Sequence, residues 1–293
     1  MRNLKRALSL ALAAIMLIGM MVVSASAASY NNLTDKDEIV NKDAVSMLVS
    51  LGIIEGKPDG SYAPTENVDR AQMAKMLSVI MNKGVDNSAL YQSVNSGLVD
   101  VNTNWAKGHI NYCYTTGIIA GRGNGKFDPS ATVTALEAAK MLLVAVGYDP
   151  KIEGFEGADW AINVSVRADE QGIFEGFTKD LSAPLNRDDA ALLIYNALDV
   201  EMIQSYTTNN YPIAYSDHRT ILADKYGVIK VQGVVVANEW ASLASDDGDA
   251  ALKEGKTTIY NGEGIFSTTG NTTVSKEDAS LKTQTFNVST PVD

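Results

Sequence analysis

Laid against itself, the chain repeats. Gly52 to Leu77, "GIIEGKPDGSYAPTENVDRAQMAKML", matches Gly117 to Leu142, "GIIAGRGNGKFDPSATVTALEAAKML", without a gap, and about eleven of twenty-six positions are identical. A duplicated supersecondary unit constrains the architecture more than any single motif, because one such unit is too small to close a core and must stack on its copies. A third and more diverged copy, "GIFEGFTKDLSAPLNRDDAALLIYNAL" from Gly172 to Leu198, aligns if its loop is about three residues shorter. That alignment brings Arg70, Ala135 and Arg187 to one position.

Each copy reads as helix, loop, helix. The first helix carries apolar residues at helical spacing, as in "NKDAVSMLVSLG" with Ala44, Val45, Leu48 and Leu51, and it stops at Gly52, Gly117 or Gly172, each suited to a left-handed cap. Trp105 and Trp160 stand at the start of that helix in the second and third copies, where the first has Val40. Their apolar helix position predicts core more readily than a platform for a sugar ring. Loops with Pro58-Asp59-Gly60 and Asn124-Gly125 turn chemistry follow, with Tyr62 and Phe127 free to pack.

The second helix is expected to start just after Val68, Val133 and Leu185. Asp69 with Gln72 and Thr134 with Glu137 have the spacing of a capping box, and Asn186 with Asp189 is a polar variant of it. Arg70 then becomes the first helical residue, where a cation opposes the helix dipole by roughly 0.3–1 kcal/mol at an exposed site. A solvated arginine has no reason to recur at that place.

The ends of the chain have a different character. "MRNLKRALSLALAAIMLIGMMVVSASAAS" combines a basic head, an apolar run and Ala25-Ser26-Ala27, so residues 1–27 are expected to be a secretory signal peptide. No cysteine stands at that site for a lipid anchor, and no later run is long enough to span a membrane. Removal of those residues takes away three basic and no acidic side chains, moving the net charge from −11 to about −14 and arguing against nucleic acid as a partner. The single cysteine, Cys113, excludes an intramolecular disulfide and reads as a buried apolar residue. From about Ser205 the pattern turns β-branched and alternating, in "YGVIKVQGVVVANEW" and "LKTQTFNV" with an Asn261-Gly262 turn between them. Residues 205–293 are therefore expected to be a β-rich segment, truncated if the full protein is longer.

The repeated residues resemble the S-layer homology domain, a three-repeat module by which bacterial surface proteins hold to the cell wall. "LVDVNTNWAKGHINYCYTTGIIAGRGNGKFDPSATVTALEAAKML" follows its pattern of aspartate and tryptophan, Gly-Ile-Ile, glycine-rich turn, aromatic, proline, and threonine with glutamate at the second helix, departing only where Ala135 replaces the arginine. The resemblance implies a mainly α, pseudo-threefold domain with repeats at residues 31–84, 95–148 and 155–200. It further implies that the grooves between repeats bind a pyruvylated secondary cell-wall polysaccharide. The implied ligand set is Arg70, Arg187, Asp69, Gln72, Thr134, Glu137, Asn186 and Asp189, with Trp105 and Trp160 as stacking or core residues. An arginine fork beside free helix N–H groups suits the carboxylate of a pyruvate ketal. Arg70 and Arg187 would then centre two strong sites, and Ala135 would mark a weak one.

Such a protein is expected to be secreted, associated with peptidoglycan at the cell surface, and able to self-associate in a surface layer. Two other readings are a wall-held extracellular enzyme, such as a glycan hydrolase, and an array subunit without glycan affinity. No catalysis, cofactor or metal is expected from the motifs themselves. Asp59-Gly60 and Asn124-Gly125 lack the alternating acids of a calcium loop, and His109 and His218 have neither metal-ligand spacing nor a nucleophile motif. Asp188 and Asp189 are neighbours on one helix, pointing about 100° apart, so they do not converge on one bond.

Overall fold

In a computed structural model of the chain, the second helix of each repeat begins at the aligned position. The structure describes residues 29–228, 234–238, 240, 252–253, 256–260 and 283–287. The expected signal peptide and the Asn261-Gly262 turn lie outside them. The described helices are α1 (Lys42–Ser50), α2 (Arg70–Met81), α3 (Lys107–Thr115), α4 (Ala135–Val146), α5 (Trp160–Glu170), α6 (Arg187–Ala197) and α7 (Ile221–Tyr226). The chain divides into two compact units, residues 1–138 with 176–195 and residues 139–175 with 196–293.

Two local devices recur in the helical part. Gly52, Gly117 and Gly172 adopt φ of 69°, 80° and 70°, and the isoleucine after each donates its N–H to the carbonyl five residues back, on Leu48, Cys113 and Ala168. This left-handed cap satisfies carbonyls that a helix end would otherwise orphan. The second device is a carboxylate clamp. Asp35 accepts the N–H groups of Tyr62 and Ala63, both at 2.7 Å, and Asp100 accepts those of Phe127 and Asp128 at 2.9 and 2.7 Å. Each clamp spans the same 27 residues and fixes a non-glycine residue at positive φ, Ala63 at 56° and Asp128 at 62°. The aromatic ring beside it is driven into the core, where Tyr62 and Phe127 are fully buried with Val45, Leu48, Met73, Leu77, Ile80 and Ile110.

The centre of the first unit is a ring of three backbone hydrogen bonds. Val68 donates to Leu185 (2.9 Å), Leu185 to Val133 (2.7 Å), and Val133 back to Val68 (2.9 Å). Each is the residue two before its second helix, and all three side chains are buried. Cys113 is buried as expected, its thiol donating to the Ala74 carbonyl, and burial pushes that thiol well above its ordinary range.

In the second unit, Leu143, Val146, Phe155, Val164 and Ile173 are buried together with Leu198, Ile221 and Leu222. Strands β1 (Ile203–Tyr206) and β2 (Pro212–Ala214) form an antiparallel hairpin, and β3 (Val234–Ala237), β4 (Lys256–Tyr260) and β5 (Thr283–Asn287) form an antiparallel sheet in that order. Tyr206 ties the hairpin down by donating to Glu153 (3.0 Å) while accepting from the Asp149 N–H (2.9 Å). The β-rich expectation needs one correction here, because α7 interrupts it. Thr220 caps that helix by accepting from Ala223, and Gly227 at φ 64° ends it, a signal present in "TILADKYG".

Candidate functional site

The capping residues behave as their spacing demands. Asp69 accepts from the Gln72 N–H at 2.7 Å while Gln72 accepts from the Asp69 N–H at 2.9 Å, a full capping box. Thr134 and Glu137 exchange the same pair of bonds at 3.2 Å each, and Asn186 accepts from the Asp189 N–H at 2.8 Å. The carboxyl of Asp69 is raised above its usual range, chiefly by burial.

The free helix N–H groups expected beside the arginines are not free. Arg70 N–H donates to the Ala131 carbonyl and Ala71 N–H to Pro129, both at 2.9 Å. Arg187 and Asp188 donate in the same way to Glu66 (2.9 Å) and Pro64 (3.1 Å), and Leu136 donates to Leu181 (3.1 Å). The loop of one copy thus caps the second helix of another, in a cycle that single-copy reasoning cannot foresee.

The arginine side chains follow the same cycle. Arg70 is buried, with Nε donating to Phe127 O (2.8 Å), Nη2 to Ala120 O (2.9 Å), and the guanidinium 4.4 Å from the Phe127 ring centroid. Arg187 repeats this one copy on, with Nε to Tyr62 O (2.7 Å), Nη2 to Glu55 O (3.1 Å) and the Tyr62 ring at 4.7 Å. The fork expected to face a ligand therefore grips the next loop. Among the described residues no carboxylate pairs with either guanidinium. Burial, with the neighbouring Arg122 charge second, depresses Arg70 to about 10, leaving it cationic at neutral pH. Ala135, at the third equivalent position, is buried and supplies no such grip.

Trp105 corrects the core expectation, for it is 58% exposed, and Val40 at the equivalent place is 82% exposed. Val40 and Trp105 each stand two residues before their helix, at Lys42 and Lys107, and so lie outside its apolar stripe. Trp160 is half-buried, with the Lys140 ammonium 5.6 Å from its ring. The two aspartates diverge as predicted. Asp188 binds the Asn41 backbone and side chain, and Asp189 pairs with Lys179.

The histidine that sequence left without a role is part of a buried polar contact. Ser78 Oγ lies 2.9 Å from the Lys75 carbonyl and 2.6 Å from His109 Nδ1, and Nε2 faces Asp86 at 3.6 Å. Ser78 and His109 are both buried, so the contact is a brace between α2 and α3. Burial depresses His109 below its ordinary 6.5, with Lys75 acting in the same sense and Asp86 against it. A folded-state value lowered in this way means that the unfolded chain takes up the proton first, so stability is full above about pH 6.5 and declines as pH falls below it. Urea midpoints measured between pH 7 and 5 are expected to show that decline, and His109→Gln is expected to flatten it.

Among the described residues no three His, Cys, Asp or Glu side chains are placed to hold a metal ion, and no helix is long and apolar enough to cross a membrane.

Residues 32–74 and 99–139 match the S-layer homology domain family. Relatives include a cell surface protein of Thermoanaerobacter kivui, 27% identical over 92% of this chain and 32% of the relative. An S-layer protein of Bacillus licheniformis is 33% identical over 39% of this chain and 12% of its own length. An amylopullulanase of Thermoanaerobacterium thermosulfurigenes is 30% identical over 54% of this chain and 9% of its own length. The chain thus spans a third or less of the length of these relatives. The domain match and these relatives support a cell-surface, cell-wall-associated location and surface anchoring.

Proposed function

We propose that the chain anchors a secreted protein to the bacterial wall without catalysis, by binding pyruvylated secondary cell-wall polysaccharide at the junctions between three S-layer homology repeats. Residues 155–200 form the third repeat on this reading, and the ring joining Val68, Val133 and Leu185 supports it, since each copy contributes the equivalent residue. The observation that carries the ligand reading is a pair of guanidiniums, Arg70 and Arg187, set identically at two junctions and neutralised by carbonyl dipoles and an aromatic face instead of a carboxylate. Such sites favour an anion even on an acidic protein, because the positive potential is local. Exposed Trp105 suits stacking against a sugar ring. The remaining ligand candidates, Asp69, Gln72, Thr134, Glu137, Asn186 and Asp189, would act mainly by fixing the helix starts that frame the junctions.

The mature protein is expected to sediment with purified wall sacculi that retain their secondary polymer. Mild acid removal of the pyruvate ketals should release it. Equal sedimentation with stripped and intact sacculi would end the polysaccharide reading.

The amylopullulanase similarity favours a second possibility, in which this chain is the wall-holding part of an extracellular glycan hydrolase. Polysaccharide degradation by the full-length product distinguishes that enzyme from a purely structural surface-layer subunit. Ordered sheets formed without wall material would favour self-assembly instead.

A further inference from the structure

Arg70 is buried and Arg187 half-buried, each gripped by loop carbonyls, and a second, partly exposed cation lies close in sequence to each grip. Arg122 lies two residues after Ala120, whose carbonyl receives Arg70, and Lys57 lies two residues after Glu55, whose carbonyl receives Arg187. Both open the same five-residue turn, closed by the Arg122 N–H on Lys126 O (2.8 Å) and the Lys57 N–H on Ser61 O (2.7 Å). Both side chains are partly exposed, at 41% and 37%. Each is also held by a carboxylate of its own repeat. Arg122 Nη2 is 2.8 Å from Glu137 Oε1, with Asp128 farther off at 4.0 Å, and Lys57 pairs with Glu66. The third copy has Phe177 where these cations stand, and the second copy has Ala135 where the arginine would be.

We infer that Arg122 and Lys57 are the ligand-facing cations of two equivalent anion sites, and that Glu137 and Glu66 are internal stand-ins which the ligand's carboxylate displaces. This rests on the proposed carboxylate-bearing saccharide. In each site the guanidinium held by loop carbonyls provides a fixed positive potential, and the surface cation makes the direct bond. Exchanging one carboxylate for another needs no new charge to be desolvated, and each cation is exposed enough for its internal partner to be exchanged. The internal acid then sets specificity. Only a ligand whose carboxylate is backed by further contacts to the sugar outcompetes a tethered glutamate.

Titration calorimetry with secondary polysaccharide released from sacculi, used before and after mild acid removal of its ketals, tests the inference. Arg122→Gln and Lys57→Gln are each expected to weaken binding of the intact polymer about tenfold, and together to abolish it. Glu137→Gln, which keeps an acceptor for the Thr134 N–H, should strengthen binding several-fold by releasing Arg122. Thermal melts of the three variants should match the parent, separating lost contacts from lost fold. If the intact polymer binds but neither cation substitution changes its affinity, the assignment of these cations is wrong while the carboxylate reading stands. Indifference of the parent protein to the ketals would overturn both.

Discussion

Arg70→Ala is expected to lower the unfolding free energy by about 2–4 kcal/mol. Two hydrogen bonds from a charged donor, each worth about 1.5–3 kcal/mol, disappear, and the Phe127 and Ala120 carbonyls lose their donor at a junction where Arg70 was buried. The contact with the Phe127 ring adds up to about 2 kcal/mol when desolvated. These gains are partly offset because removing the side chain also removes the cost of burying a charge. Arg70→Lys should recover little, since one ammonium cannot reproduce the planar fork that reaches two carbonyls. Urea denaturation of the mature protein measures the difference. A loss below about 0.5 kcal/mol, the size of an ordinary surface change, would mean that the arginine is no brace. Arg187→Ala should cost less, because its outer bond to Glu55 is solvent-exposed.

Gly108→Ala is expected to destabilise by roughly 3 kcal/mol, against the preference of a helix interior for alanine. Helix propensity alone favours the substitution by about 1 kcal/mol. The glycine, however, lies where α3 presses on the turn at residues 88–91. An added Cβ would stand 2.1 Å from the Ser88 carbonyl oxygen and 2.7 Å from its carbon, so backbone rather than a flexible side chain would have to move. Overpacking of that kind costs about 1–3 kcal/mol or more and outweighs the propensity gain. A melting temperature equal to or above the parent's would show that the turn yields freely. His109 follows directly on the same helix, so the variant is also expected to disturb the Ser78 contact and the acid sensitivity that depends on it.

Legibility varied by the distance over which each feature is decided. The glycine caps, the capping boxes and the six expected repeat helices depend on residues within about one turn of one another, and these were visible in spacing alone. The clamps at Asp35 and Asp100 were partly visible, since the same interval separates each aspartate from its aromatic, although spacing does not reveal that a carboxylate bridges two amides. The exposure of Trp105 was not visible, because an apolar residue at a helix boundary can turn toward the core or away from it.

The repeat comparison by itself determined that Arg70 and Arg187 share one environment and that Ala135 stands apart. Only the tertiary structure decided what that environment is. Arg70 meets a carbonyl 57 residues away and Arg187 one 125 residues away, and the helix N–H groups beside them are bonded by the same distant loops. Local pattern predicts a charge at a helix start. Which group neutralises it depends on which other copy the chain closes upon, because hydrogen bonding and burial are satisfied between copies rather than within one.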